Sequence, residues 1–205
     1  MASVIHTIGH SNRKLEEFLA LLVEYRITAV ADVRSQPYSR VNPQFNREPL
    51  AKFLAQKGIA YRFLGKELGA RTADADCYVN GKVHYERLAR TQLFQQGLTR
   101  IANGIQEHRI ALMCAEREPL ACHRSILVAR YLAQRGFRVV HIIDAKITED
   151  HDASIQRLLS NLGMDCMHMF ETKDELIELA YERQGARIAF EPDEEQEFTK
   201  KRESA

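Results

Sequence analysis

Arg109-Ile-Ala-Leu-Met-Cys114-Ala-Glu116-Arg-Glu-Pro-Leu-Ala-Cys122-His123-Arg124, followed by Ser125-Ile-Leu-Val-Ala-Arg-Tyr-Leu-Ala-Gln-Arg-Gly136, is the stretch whose reading decides the fold. Ile110 to Met113 is an apolar run of strand length, and it ends at a thiol. A polar loop containing Pro119 follows. Ile126, Leu127, Tyr131 and Leu132 then recur at helical spacing, and Gly136 is a helix stop. The unit is strand, loop, helix, with Cys114 leaving the strand and Cys122, His123 and Arg124 at the helix start. In an open α/β sheet, ligands bind at the edge where strands give way to helices.

The same alternation extends in both directions. Val4 to Ile8 reads as a first strand, closed by Gly9-His10-Ser11-Asn12, with Ser11 or Asn12 capping a helix marked by Leu15, Phe18, Leu19 and Leu22. Thr28 to Val33 is a second strand, followed by Arg34-Ser35-Gln36-Pro37 and a polar loop to Arg47. Leu50, Phe53 and Leu54 carry a short helix stopped by Gly58, and Ile59 to Leu64 is a third strand. Gly65 to Val83 is a long excursion without a clear period, a feature that is often functional in a compact domain. Tyr85 to Glu107 reads as a helix bent near Gly97. Phe137 to Ile143 is a fifth strand, and Asp150–Leu162 and Asp174–Arg183 are two more helices.

Strands alternating with helices imply an α/β fold with a mostly parallel sheet, helices on both faces and a C-terminal helical addition. Residues 1–185 form one domain, and residues 186–205 read as a charged, disordered tail with little to bury. Right-handed crossovers place every strand-to-helix loop on one edge of the sheet. Gly9-His10-Ser11, Asp32 to Ser35, Cys114 to Glu116 and Cys122 to Arg124 therefore converge.

Composition narrows the function. A hydrophobic fraction of 45% and a charged fraction of 28% are those of an ordinary globular protein. No apolar run approaches the roughly 18 residues of a membrane span, and the N-terminus lacks a signal-peptide layout. A cytoplasmic location follows as an expectation. There Cys77, Cys114, Cys122 and Cys166 are thiols rather than structural disulfides, which leaves reactivity or metal binding as their special uses. The net charge of +1 conceals six acids against three bases in the last fifteen residues, leaving 26 bases and 22 acids over residues 1–190. That excess does not demand a nucleic-acid partner, although clustered arginines would accommodate one. Dinucleotide, P-loop, serine-elbow and zincin motifs are all absent.

The converging residues suit an anionic ligand. Gly9 permits close backbone approach, Ser11 and Ser35 offer hydroxyls, and Arg34, Arg40 and Arg124 offer planar bidentate donors. His123 adds a further polar group. Cys122, at a helix start beside His123 and Arg124, sits where a thiol pKa is depressed. Cys114, after four apolar residues, is expected to be the more enclosed of the two. Cys114 and Cys122 are thus candidate nucleophiles or ligands, His10 the acid–base candidate, and Asp32 and Glu116 orienting or deprotonating groups. No cofactor or metal is predicted. A metal held by Cys114, Cys122 and His123 is the minority alternative, since the spacing matches no zinc motif.

Thr7-Ile-Gly-His-Ser11, Asp32-Val-Arg-Ser35 with Pro37 and Ser39-Arg40, Leu68-Gly69, Leu112-Met-Cys-Ala-Glu116 and Cys122-His-Arg124 together resemble the hallmarks of the DUF488 family over about residues 4–145. The family is named for its unknown function. The resemblance implies a small cytosolic α/β protein whose signature residues gather in one place, and it names no reaction. The leading expectation is a cysteine-dependent hydrolase or transferase acting on a small anionic ligand or nucleotide. The alternatives are a non-catalytic nucleic-acid-binding protein and a Cys/His metal-binding protein.

Overall fold

The chain alternates strand and helix from its first described residue, as the hydrophobic pattern predicts. The computed structural model describes residues 4–164 and 172–192. In order these form β1 (Val4–Gly9), α1 (Leu15–Glu24), β2 (Ala29–Asp32), α2 (Arg47–Gln56), β3 (Ala60–Phe63) and a single helical turn α3 (Gly65–Leu68). A small hairpin, β4 (Tyr78–Val79) with β5 (Lys82–Val83), precedes α4 (Tyr85–Arg90), α5 (Gln92–Gly104) and β6 (Ile110–Cys114). A π-helical segment, Arg124–Ala129, runs into α6 (Arg130–Gln134), followed by β7 (Arg138–Asp144), β8 (Ile147–Asp150), α7 (His151–Asn161) and α8 (Lys173–Ile188).

The main sheet has six strands in the order β3-β2-β6-β1-β7-β8, and all are parallel except β8. Strands covered on both faces read as continuous apolar runs, which is why all five residues of β6 are buried. Their side chains still alternate. Ala111 and Met113 pack with Ile8 and Val30 against Phe18, Leu22, Leu50 and Leu54 of α1 and α2. Leu112 and Cys114 join the opposite layer, with Phe94, Leu98 and Ile101 of α5, Leu132 of α6 and Ile155 of α7. Each fully buried leucine contributes about 1.5–3 kcal/mol.

The chain first steps outward from β1 to β2 and β3, using α1 and α2 in one layer. It then returns to β6, between β2 and β1, and continues past β1 to β7 with helices in the other layer. The reversal falls at β6. Its carboxyl end, at Cys114, is the topological switch point where ligands bind in such sheets.

Several boundaries differ from those expected. Neither Ser11 nor Asn12 caps α1. His10 and Ser11 donate their N–H groups to the Cys114 and Ala115 carbonyls at 3.0 and 2.7 Å, so this segment extends the ladder instead. Lys14 is the N-cap, its N–H donating to the Glu17 carboxylate at 3.2 Å. The Tyr85–Glu107 segment is broken at Thr91 rather than bent at Gly97. The Thr91 hydroxyl caps α5 by accepting from Phe94 N–H at 3.3 Å. Gly97 serves packing: a Cβ there would lie 2.7 Å from Glu67 Cβ and Leu68 Cδ2 of α3. Strand β8 was not anticipated, because its sequence, Ile-Thr-Glu-Asp, is that of a polar edge strand. Helix α8 passes residue 185 to Ile188, and Phe190 packs against the core beyond it, so ordered structure exceeds the expected boundary. Cys166 and residues 193–205 of the expected tail lie outside the described residues. No helix among the described residues is long and apolar enough to cross a membrane.

The packing at Gly97 gives a test. Alanine favours a helix over glycine by up to about 1 kcal/mol, but an inserted methyl in a closed contact costs about 1–3 kcal/mol. Gly97→Ala is therefore expected to lower the urea midpoint. An unchanged or raised midpoint would show that α3 yields.

Candidate functional site

Four strand ends are pressed together in two pairs before any reactive group is added. A Cβ on Gly9, at the end of β1, would lie 1.8 Å from the Glu116 carbonyl oxygen. One on Gly65 would lie 1.9 Å from the Arg34 carbonyl. Only glycine lets the loops after β1 and β3 close on those after β6 and β2. Arg13 adds a tie, donating from Nη1 to the Gly9 carbonyl at 2.7 Å and from Nη2 to the Ile143 carbonyl at 2.5 Å.

The loop after β6 is anchored by Arg124, which is fully buried. Its Nη1 and Nη2 donate to the Glu116 and Arg117 carbonyls at 2.5 and 2.9 Å, and its Nε donates to Thr7 Oγ1 at 3.4 Å. Its backbone N–H donates to Cys122 Sγ at 3.4 Å. Arg124 is thus committed to the loop and offers no free fork to a ligand. Arg34 is also engaged. Its Nε donates to Asp32 Oδ1 at 2.9 Å and its Nη2 to Asp32 Oδ2 at 2.6 Å and to the Phe45 carbonyl at 2.8 Å. Tyr61 O–H donates to the same carboxylate at 2.6 Å.

His10 completes this layer. Its Nδ1–H donates to the Ser11 carbonyl at 2.8 Å, which leaves Nε2 to accept from Arg34 Nη1 at 3.1 Å, while the ring stacks on Phe45 at 4.3 Å. Burial, reinforced by the positive Arg34, lowers the His10 pKa to about 4. The residue expected to act as acid and base is neutral and positions Arg34 instead.

In front of this layer is a cavity of about 260 Å³. Arg34, Ser35, Cys114, Glu116, Cys122 and His123 line it, as do Gln36, Arg71, Tyr85, Ile188 and Phe190. Gly9, His10, Ser11, Asp32 and Arg124 stand behind its wall, and Arg40 is an exposed loop residue away from it. Both cysteines are buried, Cys122 at 1% and Cys114 at 3% exposure, so Cys114 is not the more enclosed. Cys122 caps the Pro119–Ala121 turn and packs into the same core cluster as Cys114, a burial that its polar neighbours in sequence do not announce.

The two thiols behave differently. The hydrogen bond to Cys122 and burial hold Cys114 well above its ordinary pKa. At Cys122 burial opposes ionisation, but the Cys114 hydrogen bond, the Arg124 charge and His123 together outweigh it and push the pKa well below the usual value. His123 loses by burial and gains more from the Cys122 sulfur, so its pKa is raised. Both shifts favour the ionised forms of Cys122 and His123, with Cys122 Sγ 4.0 Å and Cys114 Sγ 3.8 Å from His123 Nδ1. Glu116 Oε2 lies 2.9 Å from Cys122 Sγ, a separation that requires a shared proton. Burial of its carboxyl, followed by the neighbouring Cys122 charge, raises the Glu116 pKa. Cys114, Cys122 and His123 also place donor atoms within 4.8 Å of one another, close enough to share a metal ion.

The family model described as "Domain of unknown function DUF488" matches residues 14–132, more than half of the chain. The chain belongs to the DUF488 family. No curated protein and no solved structure matched it. The span matched in this DUF488 chain holds Asp32, Arg34, Ser35 and the whole Cys114-to-Arg124 segment. It begins after Thr7 to Ser11, and it excludes α7, α8 and Phe190.

Sequence reasoning missed Arg71, Tyr85 and Phe190. Arg71 donates its N–H to Ser35 Oγ at 2.9 Å and stacks on Phe190 at 4.4 Å. The strap carrying Phe190 is held by the Val83 N–H donating to the Phe190 carbonyl at 3.0 Å. The aperiodic excursion from Gly65 was the available signal for Arg71. Nothing local announces Phe190.

Two outcomes follow from the buried charges. Arg124→Lys keeps a cation but loses the fork, leaving loop carbonyls unpaired at about 1–3 kcal/mol each. Lower stability and a Cys122 thiol that titrates at higher pH are expected, read by urea unfolding and by the pH profile of alkylation. An unchanged thiol profile would remove Arg124 from the electrostatics of the site. Acid should also unfold the domain early. Burial lowers the pKa of His6, His10 and His151 to about 4 and holds His141 well below its ordinary value. The unfolded chain binds these protons and the folded one does not. Stability is therefore complete above about pH 6.5 and is lost as pH falls through about 4, each such histidine contributing up to about 3 kcal/mol. Urea midpoints that stay flat from pH 7 to 4 would contradict this.

Proposed function

We propose that the cavity at the β6 carboxyl end is the active site of an enzyme that acts on a small anionic molecule, with chemistry that depends on the Cys122 thiolate. The observation that carries this reading is the pairing of Cys122 with His123 at the cavity wall, beside a carboxyl able to move a proton. Depressed thiol pKa values accompany reactivity or metal binding, whereas an inert buried cysteine has a raised one. Glu116, whose pKa burial raises, is the carboxyl placed to move a proton at Cys122.

Charge supports the anion. Arg34, Arg71, Arg124 and His123 supply four positive groups in and behind the wall, against the Asp32 carboxylate and the Cys122 thiolate. Size supports a small one. About 260 Å³ lies just below the roughly 300–1,000 Å³ of typical ligand pockets. Tyr85 and Phe190 offer apolar ring surface for the remainder of the molecule, which suits a nucleotide or a phosphorylated metabolite better than a polymer.

Phosphate and AMP serve as probes. Either should raise the melting temperature of the wild type by mass action, and Arg71→Ala should reduce that shift while leaving the ligand-free melting temperature nearly unchanged. Equal shifts in both proteins would locate the anion elsewhere. In chelator-containing buffer at neutral pH, iodoacetamide should modify Cys122 before Cys114, and bound phosphate should slow it. Faster modification of Cys114 would overturn the assignment of the reactive thiolate.

A further inference from the structure

Cys114 Sγ, Cys122 Sγ and a ring nitrogen of His123 form a triangle whose atoms lie within 4.8 Å of one another, with sulfur-to-Nδ1 edges of 3.8 and 4.0 Å. In a tetrahedral zinc site, with Zn–S about 2.3 Å and Zn–N about 2.0–2.1 Å, sulfur and nitrogen ligands stand about 3.6 Å apart. Both edges are within about half an ångström of that value.

The surroundings are those of ligands. His123 Nε2–H donates to the Val33 carbonyl at 3.0 Å. That bond leaves Nδ1 facing both sulfurs, where a bound ion would take the place of its proton, and an imidazole bound to a metal normally has such an outer partner on its second nitrogen. The Arg124 N–H on Cys122 Sγ stabilises negative sulfur without competing for the metal-facing side. Both cysteines are free rather than joined, although their sulfurs are neighbours. All three residues line the cavity, and so does Glu116.

We propose that Cys114, Cys122 and His123 hold one Zn²⁺, or a cation of similar softness, with its fourth coordination position open to the cavity and Glu116 beside that position. Three nitrogen and sulfur ligands with one open position are the arrangement of catalytic rather than structural zinc. Glu116, whose Oε2 lies 2.9 Å from Cys122 Sγ, is the group that would stand next to a water molecule at that position, and the ion would supply Lewis-acid activation of that water. The catalytic use of the ion rests on the reading of the cavity as an active site; its binding does not.

The test uses the full-length chain, reduced and stripped with chelator, and titrated with Co²⁺. Binding at one ion per chain is expected, with thiolate-to-cobalt charge-transfer bands and a tetrahedral visible spectrum that Zn²⁺ abolishes. Cys122→Ala and His123→Ala should each weaken binding by more than the roughly 10–100-fold cost of losing an outer-shell partner. Zn²⁺ should protect both cysteines of the wild type from iodoacetamide until chelator is added, a readout that requires no variant to fold. Glu116→Gln should keep the cobalt spectrum; its loss would make Glu116 a fourth ligand and overturn the open position. Absence of charge-transfer bands in the wild type, or bands that survive Cys122→Ala, would overturn the site. Cobalt binding without any shift by phosphate or AMP removes the anion reading and leaves the metal. An anion shift in protein that takes no cobalt does the reverse.

Discussion

The buried guanidinium of Arg124 is the constraint on which the rest of the site depends. A full positive charge is enclosed with no carboxylate paired to it among the described residues, and it is satisfied by the Glu116 and Arg117 carbonyls and the Thr7 hydroxyl. Burying such a charge is costly unless it is hydrogen-bonded and compensated. The bonds fold the loop after β6 back over its own strand end, and the Arg124 charge in turn lowers the pKa of Cys122, whose sulfur receives the N–H of the same residue. One side chain therefore shapes the loop and sets the charge of the sulfur within it. The π-helical start of the following helix belongs to this arrangement, because π-turns commonly occur where side-chain placement takes precedence over helix regularity.

Behind Arg124 a buried polar chain crosses the domain. Thr7 Oγ1 meets His141 Nδ1 at 2.7 Å, His141 Nε2 meets His151 Nδ1 at 3.0 Å, and His151 Nε2 meets the Tyr181 hydroxyl at 2.9 Å. The chain links β1, β7, α7 and α8, so the C-terminal helices are joined to the floor of the site by specific geometry as well as by apolar packing. Gln184 of α8 adds a bond of 2.6 Å to the Leu120 carbonyl, next to Cys122. Networks of this kind stabilise only when every member is paired, and burial lowers the pKa of both histidines, reinforced at His141 by His151, Arg124 and Arg157 and outweighing Asp152 and Glu149 at His151.

Much of the fold was legible because apolar periodicity is a local consequence of burial. Five of the six main-sheet strands and the helices around them follow from it, and so does the convergence of the strand-end loops. Features set by partners distant in sequence were not legible. Gly97 carries no bend because α3 packs against it. Ser11 does not cap α1 because its backbone is already paired with Ala115. The short edge strand β8 buries too little to show a pattern.

The sequence by itself determined that cysteines, histidines and arginines would stand together at the carboxyl edge of a parallel sheet, since right-handed crossovers leave those loops no other place. It also determined that Cys122, between a helix start and two cationic neighbours, would differ from Cys114. Only the tertiary structure decided which arginines are committed to the fold. Arg34 and Arg124 are absorbed by Asp32 and by loop carbonyls, whereas Arg71, from an aperiodic excursion, reaches the cavity rim. The physical reason is that a guanidinium takes the nearest acceptors that burial provides, and those acceptors are identified only when segments far apart in the chain have come into contact.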